Sequence, residues 1–126
     1  YDTRCPLCRA PRRKSDAEWL RRVQEHADEG NTTAQTELGN AYFRGDKGLE
    51  QSSKRAVHWF KLAAARGHAI AQTMLGNCYE NGYSVKINFE TAARWFRRAA
   101  EQGFPIGQFN YGNMLRNGQG VAQSDD

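Results

Sequence analysis

The apolar residues of this chain fall into two kinds of segment, and each has a helical period. In the first kind they recur every four positions, as in Ala34, Leu38 and Tyr42. In the second kind they follow an i, i+3, i+4, i+7 pattern, as around Trp59 and Phe60. Both spacings place apolar side chains on one face of an α-helix. The pattern therefore predicts an all-α chain of paired amphipathic helices.

These helix pairs repeat along the chain. The first-helix residues Ala34, Leu38, Gly39 and Tyr42 correspond to Ala71, Leu75, Gly76 and Tyr79, and then to Gly107, Tyr111, Gly112 and Leu115. In the second helix, Trp59 and Phe60 correspond to Trp95 and Phe96, 36 residues further on. A repeat of this length is typical of a helical solenoid, in which each unit stacks on its neighbours.

Turn residues separate the predicted helices. Gly67 is expected to close a second helix, because glycine readily takes the left-handed conformation that ends helices. Within each unit, Ser52 and Asn88 are the expected N-caps of the second helix. Leu49 and Val85 are expected to fill the connecting loops as apolar plugs. The boundaries thus agree with the periodicity.

The pattern Ala-Gln-x-x-Leu-Gly-x-x-Tyr-x-x-Gly, followed by Ala-x-x-Trp-Phe-x-x-Ala-Ala-x-x-Gly, resembles the Sel1-like repeat, a relative of the tetratricopeptide repeat. The resemblance covers about three quarters of the chain, with repeat 1 at 31–67, repeat 2 at 68–103 and an incomplete repeat 3 at 104–126. It implies a right-handed α-α superhelix that acts as a scaffold and binds a protein or peptide partner.

The residues on either side of the repeats suggest how the array ends. Ser15 and Glu18 have the spacing of a capping box, which predicts a helix from Asp16 to Glu29 within 15–30. Its apolar residues Trp19, Val23 and Ala27 would pack on the first repeat as an N-terminal cap. At the other end, repeat 3 stops before its second helix. We expect its apolar face, Phe109, Tyr111 and Leu115, to be covered by further repeats in a longer parent.

Composition adds few constraints. The 126 residues include no run long and apolar enough to cross a membrane, and the three cysteines form no disulfide framework. These features favour the cytoplasm, with the nucleus as an alternative. The net charge of +4 is modest, so no nucleic-acid or membrane partner is expected. The basic residues Arg9, Arg12, Arg13 and Lys14 are interpreted as a solvated linker, with a nuclear-import or phosphate-binding patch as the alternative.

Cys5 and Cys8 are the clearest chemical feature, because two thiolates two residues apart can bind one tetrahedral zinc ion. The string Cys-Pro-Leu-Cys-Arg-x-Pro resembles the end of a RING finger, so that residues 1–14 would be its C-terminal remnant and linker. The resemblance implies that Cys5 and Cys8 are the last two zinc ligands, that Pro6 contacts a ubiquitin-conjugating enzyme and that Arg9 bridges to ubiquitin. Zinc would bind only if the other ligands lie upstream of Tyr1.

Three alternatives to a RING remnant remain open. The cysteine pair could be a redox dithiol, although Pro11 and a basic run follow it in place of a helix start. It could begin another zinc knuckle, but His26, His58 and His68 are widely spaced and are expected at the surface or at helix caps. It could also have no chemical role. Cys78 is different, since its equivalents Ala41 and Met114 are apolar, and it is predicted to be a core residue.

Asn40, Asn77 and Asn113 occupy equivalent positions in the three first helices. The resemblance implies that these helices line the concave side, where a row of amides could hold the backbone of an extended peptide. Alternatively, each asparagine bonds to the neighbouring turn and fixes the stacking of units. Three nearby residues would add charge selectivity if they face the same way: Arg44, Glu80 and Arg116.

The sequence shows no glycine-rich phosphate loop, no nucleophile with a suitable base and no paired carboxylates in an apolar setting. Enzyme activity would rest on the RING resemblance alone, as part of a ubiquitin ligase that positions ubiquitin without covalent chemistry. Two hypotheses follow: a protein-interaction scaffold, which we favour, or the substrate-recognition part of a RING-type ligase.

Overall fold

The computed structural model describes residues 14–120. Six α-helices make up this part of the chain, and it contains no strand. Their bounds are α1 Lys14–Asp28, α2 Thr32–Arg44, α3 Ser53–Ala65, α4 Ala69–Asn81, α5 Phe89–Glu101 and α6 Pro105–Asn117. None of these helices has the length and hydropathy needed to span a bilayer. The prediction of an all-α chain is confirmed.

Neighbouring helices pack against each other in sequence order, and α4 also contacts α6. The pairs α2–α3 and α4–α5 form the two complete helical hairpins, and α1 packs on α2. Val23 and Ala27 of α1 are buried in one apolar cluster with Ala34 and Leu38 of α2, and Trp19 packs against it. The predicted packing of the N-terminal helix on the first repeat is therefore confirmed.

The limits of α1 differ from those predicted. The helix begins at Lys14, two residues before the expected start at Asp16, and Ser15 lies inside its first turn. The first four N–H groups of a helix have no carbonyl partner within it, so Lys14 and Ser15 can join the first turn without breaking a helical hydrogen bond. At the other end, Glu29 still donates its N–H to the Glu25 carbonyl at 3.1 Å although the helix ends at Asp28.

The second helices supply the largest core side chains. Phe60 of α3 and Phe96 of α5 are fully buried, and alanines surround them on the same helices. Small side chains let the helix backbones approach closely, while the aromatic rings fill the space between units. Ala41, Cys78 and Met114 are all buried, as predicted from their equivalence. The core thus follows the repeat.

The helix ends also follow the repeat. Ser52 accepts a hydrogen bond from the Arg55 N–H at 3.2 Å, and Asn88 accepts one from Thr91 at 3.0 Å, which confirms both N-caps. Gly67 follows α3 with a φ of 97°, in the left-handed region that favours glycine. Leu49 is buried in its loop and Val85 is half-buried, so the loop plugs are confirmed as well.

One glycine in each complete unit lies where its two helices approach closely. A β-carbon at Gly39 would lie 2.7 Å from Cε1 of Phe60, and one at Gly76 would lie 2.6 Å from Cε1 of Phe96. At the equivalent Gly112 of α6, apart from its chain neighbours and the nearby backbone of its own helix, no described atom lies within 4 Å of such a β-carbon. The same sequence position is therefore tightly packed in two units and open in the third.

Candidate functional site

The three predicted asparagines lie at equivalent places on α2, α4 and α6, and each is half-buried. We call Asn40, Asn77 and Asn113 the asparagine stripe. Seven residues before Asn77 and Asn113, and hence on the same helix face, lie Ile70 and Ile106. These isoleucines remain 42% and 56% exposed, respectively. On α4 and α6, the face that carries the stripe therefore presents an exposed isoleucine as well as an asparagine amide.

The three amides are not equivalent in their hydrogen bonding. The Oδ1 atom of Asn40 is buried and has no hydrogen-bond partner in the described residues. Oδ1 of Asn113 accepts a hydrogen bond from an Arg116 N–H at 2.9 Å. Asn77 makes no side-chain hydrogen bond within residues 14–120 and uses only its backbone carbonyl, which accepts from Asn81 at 3.0 Å. Asn77 is thus the amide that keeps both its donor and its acceptor for a partner.

The predicted charged neighbours lie close to the stripe along each helix. Arg44 follows Asn40 by four residues, whereas Glu80 follows Asn77 by three and Arg116 follows Asn113 by three. Residues three and four apart are neighbours on a helix surface. Arg44 and Arg116 are exposed and Glu80 is half-buried. The role of all six residues in binding remains a prediction.

A second row of amides, which the sequence analysis did not single out, joins the units. Gln35, Gln72 and Gln108 each donate through Nε2 to an alanine carbonyl at the end of the preceding helix. The acceptors are Ala27 at 3.1 Å, Ala64 at 3.2 Å and Ala100 at 3.4 Å. The recurrence of glutamine one position after Ala34, Ala71 and Gly107 was the available signal.

The residue that follows each second helix adds another link between units. Arg66 donates to the Gly30 carbonyl at 2.7 Å, and its equivalent Gln102 donates to the Gly67 carbonyl at 2.9 Å. Gln102 also donates to Oε1 of Gln72 at 3.0 Å. Among the described residues, Oε1 of Gln35 has no such donor. Unit stacking is thus held by glutamines and Arg66, whereas Asn40 and Asn77 make no side-chain bond to a neighbouring turn in residues 14–120.

The candidate zinc ligands Cys5 and Cys8, together with Pro6 and Arg9, lie outside the described residues. Within residues 14–120, no group of three or more His, Cys, Asp or Glu side chains is placed to hold a metal ion. His26 lies 3.5 Å from a Glu29 carboxylate oxygen, His58 contacts the Trp59 ring edge, and His68 is the N-cap residue of α4. The histidines therefore occupy the surface and cap positions expected from the sequence.

Known structures share this arrangement of helices. The chain is 38% identical to a Sel1 repeat protein from Oxalobacter formigenes, with a TM-score of 0.76 over 84% of this chain and 79% of that one. It is also 38% identical to c5321, a protective antigen of uropathogenic Escherichia coli strains that displays an SLR fold. In that case the TM-score is 0.78, over 81% of this chain and 22% of the antigen.

Curated relatives are much longer than the part that matches. HRD3A of Arabidopsis thaliana, an ERAD-associated E3 ubiquitin-protein ligase component, is 32% identical over 60 residues, which is 48% of this chain and 9% of that protein. The chain spans between 7% and 16% of the length of the curated relatives it matches.

The family profile of the Sel1 repeat matches three successive segments, 32–68, 69–104 and 105–126. Each matched segment begins at the first residue of α2, α4 or α6. Sel1 repeat proteins generally act as scaffolds for protein interactions. The chain therefore belongs to the Sel1 repeat family.

Proposed function

We propose that this chain is a protein-interaction scaffold that binds an extended peptide segment of a partner along the asparagine stripe. The observation that carries the proposal is the state of Asn77. Its amide makes no side-chain hydrogen bond within the described residues, and it lies on the same helix face as the exposed Ile70. An uncommitted amide on the same helix face as an exposed apolar side chain suits an extended peptide, which offers both backbone polar groups and side chains.

The stripe is proposed to recognise the backbone of the partner first. An asparagine amide can donate to a peptide carbonyl and accept from a peptide N–H. Ile70 and Ile106 would then contact apolar side chains of the same segment. Charge selectivity would come from Arg44, Glu80 and Arg116, which flank the amides on the three helices.

The proposal is tested with peptides selected from a random library against the full chain. Affinity is then measured for Asn77→Ala and for a control, Lys61→Ala, which alters an exposed residue of α3. Loss of one hydrogen bond should weaken binding by about two- to tenfold, or about 0.5–1.5 kcal/mol. If Asn77→Ala lowers the melting temperature but leaves the affinity unchanged, the asparagines are structural and the proposal fails.

A second candidate function is substrate recognition within a RING-type ubiquitin ligase. Two observations favour it: the string Cys5-Pro6-Leu7-Cys8-Arg9, and the likeness to HRD3A, a component of a ubiquitin ligase. In this hypothesis Cys5 and Cys8 are zinc ligands of a module that lies mostly upstream of Tyr1. A ubiquitin-conjugating enzyme would then be a further partner, in contact with Pro6 and Arg9.

Zinc analysis separates the two candidates. The full-length parent protein, extended upstream of Tyr1, is compared with its Cys5→Ser/Cys8→Ser variant by elemental analysis. A complete RING binds two zinc ions, so the ligase hypothesis predicts about two per chain and a lower content in the variant. Equal zinc content in the two proteins would leave the scaffold as the better account.

A further inference from the structure

A cleft of about 540 Å³ lies between α1 and the hairpin of α2 and α3, and none of the three stripe asparagines lines it. Its lining includes Gln24, Tyr42, Lys54, Arg55, His58 and Trp59. We call it the basic cleft, because among residues 14–120 its lining includes the cations Lys54 and Arg55 and no carboxylate. We propose that the basic cleft binds an acidic segment of a protein partner, with one or more Asp or Glu side chains next to an apolar side chain. This goes beyond the binding proposed for the asparagine stripe.

Lys54 and Arg55 lie at the N-terminal end of α3, where positively charged side chains are electrostatically unfavourable. Ser52 caps α3, so Lys54 and Arg55 lie in the first turn, where the helix dipole is positive and acidic residues are favoured. The other residues of α3 include no acid to offset them. Within residues 14–120, neither Lys54 nor Arg55 pairs with a carboxylate. The helix end and the two side chains thus give a positive potential that no acidic residue of α3 offsets, and a bound carboxylate would be stabilised there.

The second repeat shows that the fold does not require these cations. Glu90 and Thr91 of α5 occupy the positions of Lys54 and Arg55, while Trp95 and Tyr79 match Trp59 and Tyr42. In that unit, Glu90 lies 3.6 Å from Arg94. The same hairpin is therefore built with an acid and a neutral residue, and the basic pair is particular to the first repeat.

An aromatic contact holds Arg55 at the cleft, and a second pair of rings forms part of the cleft wall. The Arg55 guanidinium lies 5.7 Å from the centre of the Tyr42 ring, and the His58 ring meets Trp59 edge-on at 5.2 Å. The half-buried Trp59 and Tyr42 also pack against the cluster formed by α1 and α2. A cleft with both aromatic and cationic walls favours an apolar side chain beside a carboxylate. An extended nucleic-acid backbone would need a longer row of cations than Lys54 and Arg55 provide.

The test measures binding of a fluorescein-labelled peptide that alternates glutamate with leucine to the full chain. The control probes are the same peptide with glutamine in place of glutamate, and a labelled single-stranded oligothymidine. We expect the glutamate peptide to bind. Its affinity should fall as the salt concentration rises from about 50 to 300 mM, because exposed charges are screened. Neither the glutamine peptide nor the oligonucleotide should bind comparably. Tighter binding of the oligonucleotide would overturn the proposal in favour of nucleic acid.

Two charge-matched variants locate the site. Lys54→Glu/Arg55→Thr introduces the residues found at the same positions of α5, so the fold should persist, as circular dichroism can verify. Arg94→Glu/Arg98→Thr makes the same change in net charge on α5, where these residues are exposed. We expect the first variant to weaken binding of the glutamate peptide by about tenfold or more, and the second variant to weaken it by less than about threefold. Equal losses, or a larger loss in the α5 variant, would contradict a site in the basic cleft. A loss in Asn77→Ala would place the peptide on the asparagine stripe and would also contradict it.

Discussion

Gly76 lies so close to the Phe96 ring that a β-carbon at this glycine would be 2.6 Å from Cε1 of the phenylalanine. Phe96 is fully buried, so its ring cannot move toward solvent without unpacking its neighbours. The two residues belong to the first and second helices of one repeat, and Gly39 and Phe60 form the same pair one unit earlier. The glycine that recurs in the repeat is therefore required by helix packing, and it identifies the surface where the second helix docks.

Gly76→Ala should destabilise the chain, because the added methyl group forces the buried ring or the helices apart. Overpacking of this kind costs about 1–3 kcal/mol, partly offset by a gain of up to about 1 kcal/mol in helix propensity. Gly112→Ala is the matched control, since its β-carbon would meet no described atom within 4 Å beyond its chain neighbours and the nearby backbone of its own helix, and it should stabilise α6. Urea unfolding of both variants measures the difference. Stabilisation by both alanines would show that the contact with Phe96 is easily relieved.

Gln72→Ala should cost more stability than Gln108→Ala. Gln72 is 3% exposed and joins the units through bonds to Ala64 and Gln102. Gln108 is exposed and makes the equivalent bond at 3.4 Å. We expect a loss of about 1–3 kcal/mol for the buried glutamine, because it loses two hydrogen bonds worth about 0.5–1.5 kcal/mol each, and less than about 0.5 kcal/mol for the exposed one. Equal free energies of unfolding for the two variants would refute this role in stacking.

His68→Asn should stabilise the protein by supplying a missing N-cap. His68 precedes α4 with φ −74° and ψ 115°, nearly the same as Asn31 before α2, but its side chain makes no cap hydrogen bond. Asn31 accepts from the Ala34 N–H at 2.8 Å. An asparagine at position 68 could make the same bond, which is worth about 0.5–2 kcal/mol. The reverse change, Asn31→His, should lose a comparable amount, and thermal melts of both variants check the prediction.

The same substitution should reduce the pH dependence of stability. Burial lowers the pKa of His68 below its ordinary value of 6.5, so the folded chain resists protonation more than the unfolded chain does. The stability present above the unfolded pKa is therefore lost as the pH falls below 6.5 toward the folded pKa. Unfolding free energies at about pH 7.5 and 5.5 should differ less for His68→Asn than for the original chain. An unchanged difference would exclude His68 as a source of the pH dependence.

Cys78 should be unreactive in the folded protein. The residue is 1% exposed, and burial raises the pKa of its thiol to about 11. With Cys5 and Cys8 changed to serine, Cys78 is the only remaining thiol. Labelling by a maleimide at neutral pH should then be roughly 100-fold slower, or more, than in urea, because the helix pair must open first. Labelling at a similar rate in both conditions would mean that the cysteine is accessible.

The fold was largely predictable because the signals that set it are local. Helix periodicity, the caps Ser52 and Asn88, and the equivalence of Cys78 with Ala41 and Met114 depend on short-range spacing. The glutamine bonds were missed, since the carbonyl that Gln72 reaches belongs to the preceding helix and only the packed structure brings the two groups together. The differences in hydrogen bonding among the three stripe asparagines could not be predicted from the sequence either. Whether Asn40 buries its oxygen, or Asn113 binds Arg116, depends on side-chain packing that identical sequence positions do not reveal.

The most direct test of the central claim follows the side-chain amide signals of the asparagine stripe by NMR while a selected peptide is added to ¹⁵N-labelled protein. Assignment comes from the single Asn→Ala variants. We predict that the Nδ2 signal of Asn77 and the backbone amide signals of its neighbours on α4 shift as peptide is added. The Kd from this titration should equal the Kd measured directly for peptide binding. Shifts confined to α3 and α5, with the signals of Asn40, Asn77 and Asn113 unmoved, would contradict the account.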